Sequence, residues 1–327
     1  MGRLNLLTPD KVRGAAAEVK EGLSFCLSLP LDYPGGNVLN PRRYPPVLRP
    51  TIRAGQPNFF YQVRKDNPDA TDVINDDVAI LHLQYSTQWD SLAHVGQLFD
   101  ADGDGIPEPV FYNGYRPGVE IIGPSALADA GGIDLVPAKS TSRADALGIE
   151  NMAVKCVQGR GVMIDLHAHV GRKRVAVGYD QLRRILEADK VEVEEGDLVC
   201  LHTGFAQLLL EMNRRPDAHT LENSCAALDG RDQRLLQWIT DSGLVALIAD
   251  NYAVEVHPAA FHRGRCAALP LHEHCLFKLG VNLGEIWNLT PLANWLRAHG
   301  RYRFLLTAPP LRLPGAVGSP PAPIATV

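Results

Sequence analysis

The chain has 327 residues, of which 46% are hydrophobic and 21% are charged, and its formal net charge is -5 with a pI near 6.1. This length and composition are typical of a globular protein with a sizeable core. No apolar run approaches the roughly 18 residues that a membrane span needs, and the acidic balance provides no basic field for nucleic acid or an anionic membrane. We therefore expect a small-molecule substrate and no nucleic-acid or membrane partner.

The N-terminal stretch MGRLNLLTPDKVRG lacks the continuous apolar segment of a secretory signal. Six cysteines are spread along the chain without a C-x-x-C pair. At this chain length, such spacing favours free thiols in a reducing compartment over a disulfide framework. We expect a cytoplasmic protein.

The first 76 residues are rich in turn formers. A short amphipathic helix is expected near residues 10–22, and it is followed by LSFCLSLPL and by the loop DYPGGNVLNPRRYPPVLRP. The Pro and Gly content of this loop fits either a surface arm or a lid over a pocket. We predict that residues 1–76 form an arm that packs on the core and that residues 77–327 form the main domain.

The densest group of polar residues lies in HLQYSTQWDSLAH, around residue 90. Gln84, Gln88, Asp90 and His94 follow one another at spacings of four, two and four, and each carries lone pairs that can bind a metal or move a proton. The preceding VAILHLQYS is aliphatic and free of breakers, which predicts a buried strand that delivers these residues into a pocket. Trp89 lies between them, where it either packs in the core or forms an aromatic wall for a planar substrate.

An acidic stretch, FDADGDGIPEPVFYNGY, follows this group. Asp100, Asp102 and Asp104 match the opening of an EF-hand loop, but Phe111 stands at the twelfth position, where a calcium loop has Glu. We interpret the stretch as an acidic surface turn.

From residue 129 onward, strand and helix patterns alternate. RGVMIDL, GDLVCLHTG and LVALIAD predict strands, whereas YDQLRRILEADK and DQRLLQWITDSG predict helices. This order indicates an α/β or α+β fold with helices packed on a sheet. His167 and His169 alternate as if on one face of a strand, which allows either a second ligand pair or hydrogen-bonded core positions. Polar residues follow all three strands, where active-site loops tend to lie, and they are Asp165, His167, His169, His202, Thr203, Asp250 and Asn251.

The last informative stretch is PLHEHCLFKLGVNLGEIWNLTPLANWL, in which His272, His274 and Glu285 stand around a predicted helix and turn. As a bare pattern, such residues in a helix are more often solvated. However, His and carboxylates from distant segments can also converge on a metal.

Three motifs occur in order along the chain, namely STQWDSLAH, PLHEHCLFKLGVNLGEIWNL and FLLTAPPLRLPGAVGSPPAPIA. Together they resemble the metal-dependent cyclase family that includes bacterial kynurenine formamidase and isatin hydrolase, and the resemblance runs from about Asp77 to the C-terminus. It implies a single compact α/β domain with a β-barrel-like mixed sheet flanked by helices. The family is usually oligomeric, so we expect a homodimer or homotetramer.

The signature of this family is H-x-G-T-H-x-D-x-P-x-H, and the present sequence departs from it. Asp90 matches the metal-binding Asp and His94 matches the proton-handling His, but Gln84 and Gln88 stand where the family has its two metal-binding His. The version with two Gln is similar to a branch that includes trans-dienelactone hydrolase, a zinc-dependent lactone-opening enzyme.

His272 and Glu285 match the later His and Glu of the family, which complete the metal position. Carboxamide in place of imidazole exchanges a borderline nitrogen for a harder oxygen, which weakens zinc selectivity and favours manganese by comparison. Two carboxylates balance the charge of one divalent ion, so we expect one Zn2+ or Mn2+. The metal ligands implied by the resemblance are Gln84, Gln88, Asp90, His272 and Glu285.

We expect a metal-dependent hydrolase that opens a lactone, a cyclic amide or a related acyl bond with a metal-activated water. His94 would serve as the general acid and base, a role that suits imidazole near neutral pH. Two alternatives stay open. One is a cyclase or dehydratase that uses the same metal site, and the other is a metal-free, non-catalytic binding protein in which the two Gln have disabled the site.

Overall fold

The computed structural model describes residues 1–131 and 140–327. Within these residues, nine strands form a mixed sheet that curls into a half barrel and is flanked by helices. In chain order the strands are β1 (Ser24–Cys26), β2 (Gln88–Asp90), β3 (Gln158–Asp165), β4 (Leu198–His202), β5 (Ala246–Ala249), β6 (Asn282–Glu285), β7 (Arg303–Thr307), β8 (Gly318–Ser319) and β9 (Ile324–Thr326). Across the sheet their order is β1, β9, β7, β3, β4, β5, β6, β2, β8.

Helices cover both faces of this sheet. In chain order they are α1 (Pro9–Ala16), α2 (Glu150–Lys155), α3 (Leu166–Val170), α4 (Tyr179–Asp189), α5 (Phe205–Glu211), α6 (Ala218–Glu222), α7 (Gln233–Asp241), α8 (Pro270–His272), which continues as a π-helix (Glu273–Leu279), and α9 (Thr290–Ala298). Short 3-10 helices span Gly2–Leu6, Val63–Lys65, Tyr112–Gly114 and Leu127–Asp129. In the described ranges, no helix combines the length and the apolar character that a membrane crossing requires.

Smaller two-stranded ribbons surround the main sheet. They pair Val47–Pro50 with Asp77–Ile80, Ile52–Arg53 with Gln56–Pro57, Tyr61–Gln62 with Val73–Ile74, Gln97–Phe99 with Glu108–Val110, Ile121–Ile122 with Arg143–Ala144, and Val175–Val177 with Ala226–Leu228. The last pair is parallel, and the others are antiparallel.

The centre of the sheet is parallel, and this arrangement positions the candidate site. Strands β3, β4, β5 and β6 run in the same direction, with antiparallel neighbours on either side. Helices α4 and α7 pack on one face and α9 on the other, so β4 and β5 are buried at every position. Parallel strands covered on both faces read as continuous apolar runs. Their carboxyl ends meet at one edge, where ligands commonly bind in open α/β sheets.

The fold predicted from the sequence pattern is confirmed. RGVMIDL, GDLVCLHTG and LVALIAD lie in β3, β4 and β5, and the two predicted helices are α4 and α7. The expectation of free thiols is also confirmed, because all six cysteines fall in the described ranges and are unpaired.

Three local predictions are wrong. The helix expected over residues 10–22 ends at Ala16. The segment VAILHLQYS is not a buried strand that runs into the polar group, because Asp77–Ile80 is a partly exposed ribbon strand and Gln88 and Asp90 lie on the separate strand β2. His167 and His169 belong to α3, since Asp165 accepts a hydrogen bond from the backbone N–H of Ala168 and caps a helix there.

The N-terminal segment contributes to the main sheet. Strand β1 pairs with β9 at one edge, and Leu4 and Leu27 are buried in the core. The ribbon between Val47–Pro50 and Asp77–Ile80 joins residues from either side of position 76. The division of the chain at residue 76 stays a prediction.

The acidic stretch after the polar group forms an exposed loop between Gln97–Phe99 and Glu108–Val110. Asp100 accepts backbone hydrogen bonds from Gly103 and Gly105 at 2.7 and 2.9 Å. The stretch is therefore a surface turn, as its sequence indicates.

Candidate metal centre

Strands β2 and β6 present polar side chains on one face of the sheet. They pair antiparallel, with Gln88 opposite Glu285 and Asp90 opposite Leu283. Side chains alternate along a strand, and directly opposed residues share a face. Gln88, Asp90 and Glu285 therefore point to the same side.

His272, at the end of α8, completes a buried cluster with these residues. One ligand atom from each of Asp90, His272 and Glu285 lies within 4.8 Å of the others. The three residues are 0%, 2% and 3% exposed. His272 Nε2 lies 3.1 Å from Glu285 Oε1, and Gln88 Nε2 donates to Glu285 Oε2 at 3.2 Å. Two acids and one imidazole from three distant segments thus converge in the interior.

Gln84 and His94 lie on the more open side of the cluster. Gln84 Nε2 donates to Asp90 Oδ1 at 2.8 Å and lies 2.8 Å from His94 Nδ1. His94 Nε2 is 3.9 Å from Asp90 Oδ1, and the His94 side chain is 22% exposed while that of Asp90 is fully buried. His94 therefore lies between the buried cluster and solvent.

Glu255 is a member of the site that the sequence pattern did not single out. It is 0% exposed, and its Oε1 accepts hydrogen bonds from His272 Nδ1 at 2.8 Å and from the backbone N–H of His272 at 3.1 Å. Its Oε2 accepts from the backbone N–H of Leu271 at 2.9 Å. A carboxylate behind a ligand imidazole is a common outer partner in metal sites. The sequence does contain one signal for Glu255, since it is the lone acid in the apolar run YAVEV. Buried acids are rare unless they are paired, so an acid in such a run indicates a buried partner.

The donor set fits a divalent cation. Among the described residues, the buried oxygens Gln88 Oε1 and Asp90 Oδ2 have no hydrogen-bond partner. An unsatisfied buried polar group costs about 1–3 kcal/mol, and the carboxylates of Asp90 and Glu285 crowd negative charge into one space. A divalent cation would satisfy both oxygens and balance both charges. Oxygen and imidazole donors of this kind suit zinc and manganese.

The pKa shifts in the cluster have clear physical causes. Burial raises the pKa of Asp90, the charge of His94 opposes this, and the charge of Glu285 adds to it. Burial disfavours protonation of His272, but hydrogen bonds and charges from Glu255 and Glu285 outweigh it and raise the His272 pKa to about 10. Burial would raise the pKa of Glu285, yet pairing with His272 lowers it. The cluster thus favours a positive charge among its acids, which a cation would also supply.

Trp89 is not part of this site, so the prediction that it forms an aromatic wall for a substrate is wrong. It is 0% exposed, its ring packs edge-on against Trp287 with centroids 5.0 Å apart, and its Nε1 donates to the backbone oxygen of Ala308 at 2.8 Å. The alternation of β2 turns Trp89 away from Gln88 and Asp90 and into the opposite core layer. It therefore cannot form a wall for a substrate at the cluster.

Other polar residues at strand ends form pairs that lie outside this cluster. His202 Nδ1 is 2.7 Å from Asp165 Oδ1, and Asp250 accepts from the backbone N–H and the hydroxyl of Thr203 at 2.7 and 2.6 Å. His274 Nε2 lies 2.9 Å from the hydroxyl of Thr240. These contacts join the strand ends and helices to one another.

A narrow cleft beside Gln84 contains residues of the N-terminal segment. It is lined in part by Asn40, Arg43, Tyr252 and Ile286, and Arg43 Nη1 donates to the backbone oxygen of Gln84 at 2.6 Å. The approach to the cluster from this side is thus bordered by residues from far upstream in the chain.

The fold and the cluster together define an α/β protein with a candidate metal centre on a curled mixed sheet. The Cyclase family model matches residues 27–256, and this chain belongs to the cyclase family. A crystal structure described as that of a novel cyclase is 30% identical, and the match covers 100% of this chain and 95% of that one with a TM-score of 0.72. The family resemblance inferred from the sequence motifs is confirmed.

Isatin hydrolases share the fold at lower identity. Isatin hydrolase A from Labrenzia aggregata, bound to benzyl benzoate, is 11% identical over 95% of this chain and 94% of its own, with a TM-score of 0.57. Isatin hydrolase A from Ralstonia solanacearum is 14% identical over 97% of both chains, with a TM-score of 0.56. A search of curated proteins gave no match.

Proposed function

We propose that this protein is a metal-dependent hydrolase that opens a cyclic ester or a cyclic amide. The observation that carries the proposal is the buried convergence of Asp90, His272 and Glu285, with two unsatisfied oxygens, beside the partly exposed His94. Membership of the cyclase family and a fold shared with isatin hydrolases support this class of reaction.

Asp90, His272 and Glu285 would hold one Zn2+ or Mn2+, and the amide groups of Gln84 and Gln88 would complete the donor set. A divalent ion bound there would polarise a substrate carbonyl and make a water more acidic. Glu255 holds the imidazole of His272 so that Nε2 faces the cluster. Burial of the acids keeps bulk water from competing for them.

His94 moves the proton in this proposal. Gln84 contacts His94 Nδ1 and thereby orients the ring, which leaves Nε2 on the side of Asp90. Water adds its oxygen to the acyl carbon, and Nε2 of His94 accepts the proton that the water loses. As the ring C–O or C–N bond breaks, His94 returns that proton to the leaving oxygen or nitrogen. The product is the open hydroxy acid or amino acid.

The first test is the metal content of protein purified without added metal or chelator, measured by inductively coupled plasma mass spectrometry. We expect about one equivalent of zinc or manganese per chain, because Asp90, His272 and Glu285 form one buried donor set. Such protein should open lactones or cyclic amides in a substrate panel, with one oxygen from labelled water in each product. Absence of metal, with none taken up on titration, would favour the metal-free binding protein.

A second candidate is a cyclase or dehydratase that uses the same centre, which the family name supports. Such an enzyme would release water from its substrate or rearrange the bonds of the substrate, instead of adding water to an acyl bond. The mass of the product separates the two, since only hydrolysis adds a whole water to the substrate.

We also propose a cytoplasmic homodimer or homotetramer with a small-molecule substrate. Free thiols at all six cysteines fit a reducing compartment. Large apolar side chains are exposed in and beside the ribbons before residue 80, among them Leu48, Ile52 and Phe60 at 68%, 80% and 71%. Contacts between copies would cover such residues. Light scattering coupled to size-exclusion chromatography measures the assembly, and a monomer would contradict it.

A further inference from the structure

A second cavity adjoins the cleft beside the metal centre. Its lining includes the apolar side chains of Leu39 and Phe205 together with the polar side chains of Arg174 and Tyr252. Leu39 and Tyr252 also line the cleft that contains Gln84. The cavity and the cleft therefore adjoin each other at Leu39 and Tyr252.

Tyr252 links this cavity to the metal centre. Tyr252 and Gln84 line the same cleft. Gln84 in turn donates a hydrogen bond to Asp90 Oδ1 at 2.8 Å. A substrate whose reacting bond lies at the cluster could pass Tyr252 and place its far end beside Arg174.

Arg174 differs sharply from the arginine two positions before it. Arg172 donates two hydrogen bonds of 2.6 Å to Glu211. Arg174 is half-buried, yet its side chain makes no hydrogen bond or ion pair with the residues that the structure describes. The nearby thiol of Cys225 does not supply a negative charge, because burial raises its pKa to about 12. Glu222, also on the cavity wall, is exposed and does not pair with Arg174.

A cation that is partly removed from water without an acid partner is unfavourable, and its pairing with an anion is correspondingly strong. Guanidinium binds a carboxylate through two parallel hydrogen bonds. The apolar walls of Leu39 and Phe205 suit the organic body that carries such a group, and Glu222 at the wall disfavours an anion of higher charge. We propose that Arg174 binds a carboxylate of the substrate, whose cyclic ester or amide lies at the metal centre. The identity of the bound molecule as a substrate rests on the proposed function.

The test uses benzoate and its neutral isostere benzamide as probes, titrated calorimetrically into the metal-loaded protein. We expect benzoate to bind more tightly than benzamide. Arg174→Met should weaken benzoate binding roughly tenfold to a hundredfold, the range for hydrogen bonds to charged groups, and leave benzamide binding unchanged. Arg172→Met is the matched control, and it should leave benzoate binding unchanged because Arg172 already pairs with Glu211.

The midpoint of thermal unfolding distinguishes a role of Arg174 in binding from a role in folding. Arg174→Met removes an unpaired, half-buried charge, so the midpoint should stay the same or rise. Equal binding of benzoate to wild type and Arg174→Met would overturn the inference, since benzoate would then sit elsewhere, for example on the metal. Tighter binding of phenyl phosphate than of benzoate would overturn the choice of a carboxylate.

Kinetics then distinguish this inference from the proposed function. With a carboxylated lactone, Arg174→Met should raise KM at least about tenfold while the KM for a neutral lactone stays constant. A wild-type protein that binds benzoate through Arg174 but hydrolyses no lactone or cyclic amide would support the anion site and overturn the proposed hydrolase.

Discussion

Glu255 fixes His272 through two hydrogen bonds to one oxygen, from the imidazole Nδ1 at 2.8 Å and from the backbone N–H at 3.1 Å. This pairing leaves Nε2 as the nitrogen that faces Glu285, at 3.1 Å. The absence of a side chain at Gly230 makes room for the Glu255 carboxylate, since a Cβ there would come within 2.2 Å of Oε2. The orientation of His272 is therefore built by a residue that no motif marks.

The first prediction concerns this support. Glu255→Gln should weaken metal binding roughly 10- to 100-fold, the usual effect of removing an outer carboxylate, because the neutral amide polarises the imidazole less. The fold should persist, since Gln keeps the shape and one acceptor oxygen. A chromophoric chelator in competition measures the affinity. Glu273→Gln is the control, because Glu273 pairs with Lys278 and not with His272. Equal affinity in Glu255→Gln and wild type would contradict the assigned role.

The second prediction separates the roles of Asp90 and His94. Asp90→Ala should lose metal and activity together, because Asp90 is wholly buried and contributes an unsatisfied oxygen. His94→Ala should keep the metal and lose roughly 10²–10⁴-fold in kcat, the usual contribution of a general acid or base. Metal content and turnover are measured on the same preparations.

His169→Ala serves as the control for loss of an imidazole, since His169 pairs with Asp189 away from the site. Release of the metal by His94→Ala would identify His94 as a ligand. Retention of the metal by Asp90→Ala would instead remove Asp90 from the ligand set.

The central strands and helices could be predicted because burial on both faces leaves a plain mark in the sequence. The apolar runs VMIDL, LVCLH and ALIA are typical of strands in the interior of a sheet that is covered on both faces. The approach of Asp90 to Glu285 could not be derived from spacing, because it depends on the antiparallel register of β2 and β6. Only resemblance to a family brought those two segments together.

Other features were hidden for specific physical reasons. Strand β2 has three residues, too few to show a period, so the side to which Trp89 points could not be read from its neighbours. The i, i+2 spacing of His167 and His169 suits a strand, but the Asp165 cap on Ala168 starts a helix at that point. Glu255 is fixed by tertiary contacts alone. In each case, the contact that determines the position of the side chain is made with a residue far away in the sequence, or with a local helix cap that overrides the spacing of the residues.

The third prediction tests the position of Trp89. Trp89→Phe should lower the free energy of unfolding by about 2 kcal/mol, because it leaves the backbone oxygen of Ala308 without its donor and shrinks a packed side chain. KM should not change, since the indole lies on the opposite face from Asp90. Urea unfolding and steady-state kinetics measure the two quantities. The control is Trp238→Phe, at a partly exposed position, which should lower the free energy of unfolding by less. A raised KM without loss of stability would place Trp89 at the substrate.

The fourth prediction is a dependence of stability on pH that involves Asp165. Burial would raise the pKa of this carboxyl, but its hydrogen bond and charge interaction with His202, the N–H of Ala168 and the charge of Arg297 lower it below its ordinary value. A carboxyl whose pKa is depressed in the folded state stabilises the protein above its unfolded pKa of about 3.9, and this contribution is lost as the pH falls through the folded pKa.

Asp165→Asn should therefore cost about 2 kcal/mol at neutral pH, the scale of hydrogen bonds to a charged group. The difference from wild type should shrink as the pH is lowered below about 4, because wild-type Asp165 then becomes neutral as well. Urea unfolding at a series of pH values measures it. Asp189→Asn provides the comparison, since the Asp189 pair with His169 is more exposed and is worth at most about 1 kcal/mol. A difference between Asp165→Asn and wild type that stayed constant with pH would mean that Asp165 stabilises by shape alone and not by its charge.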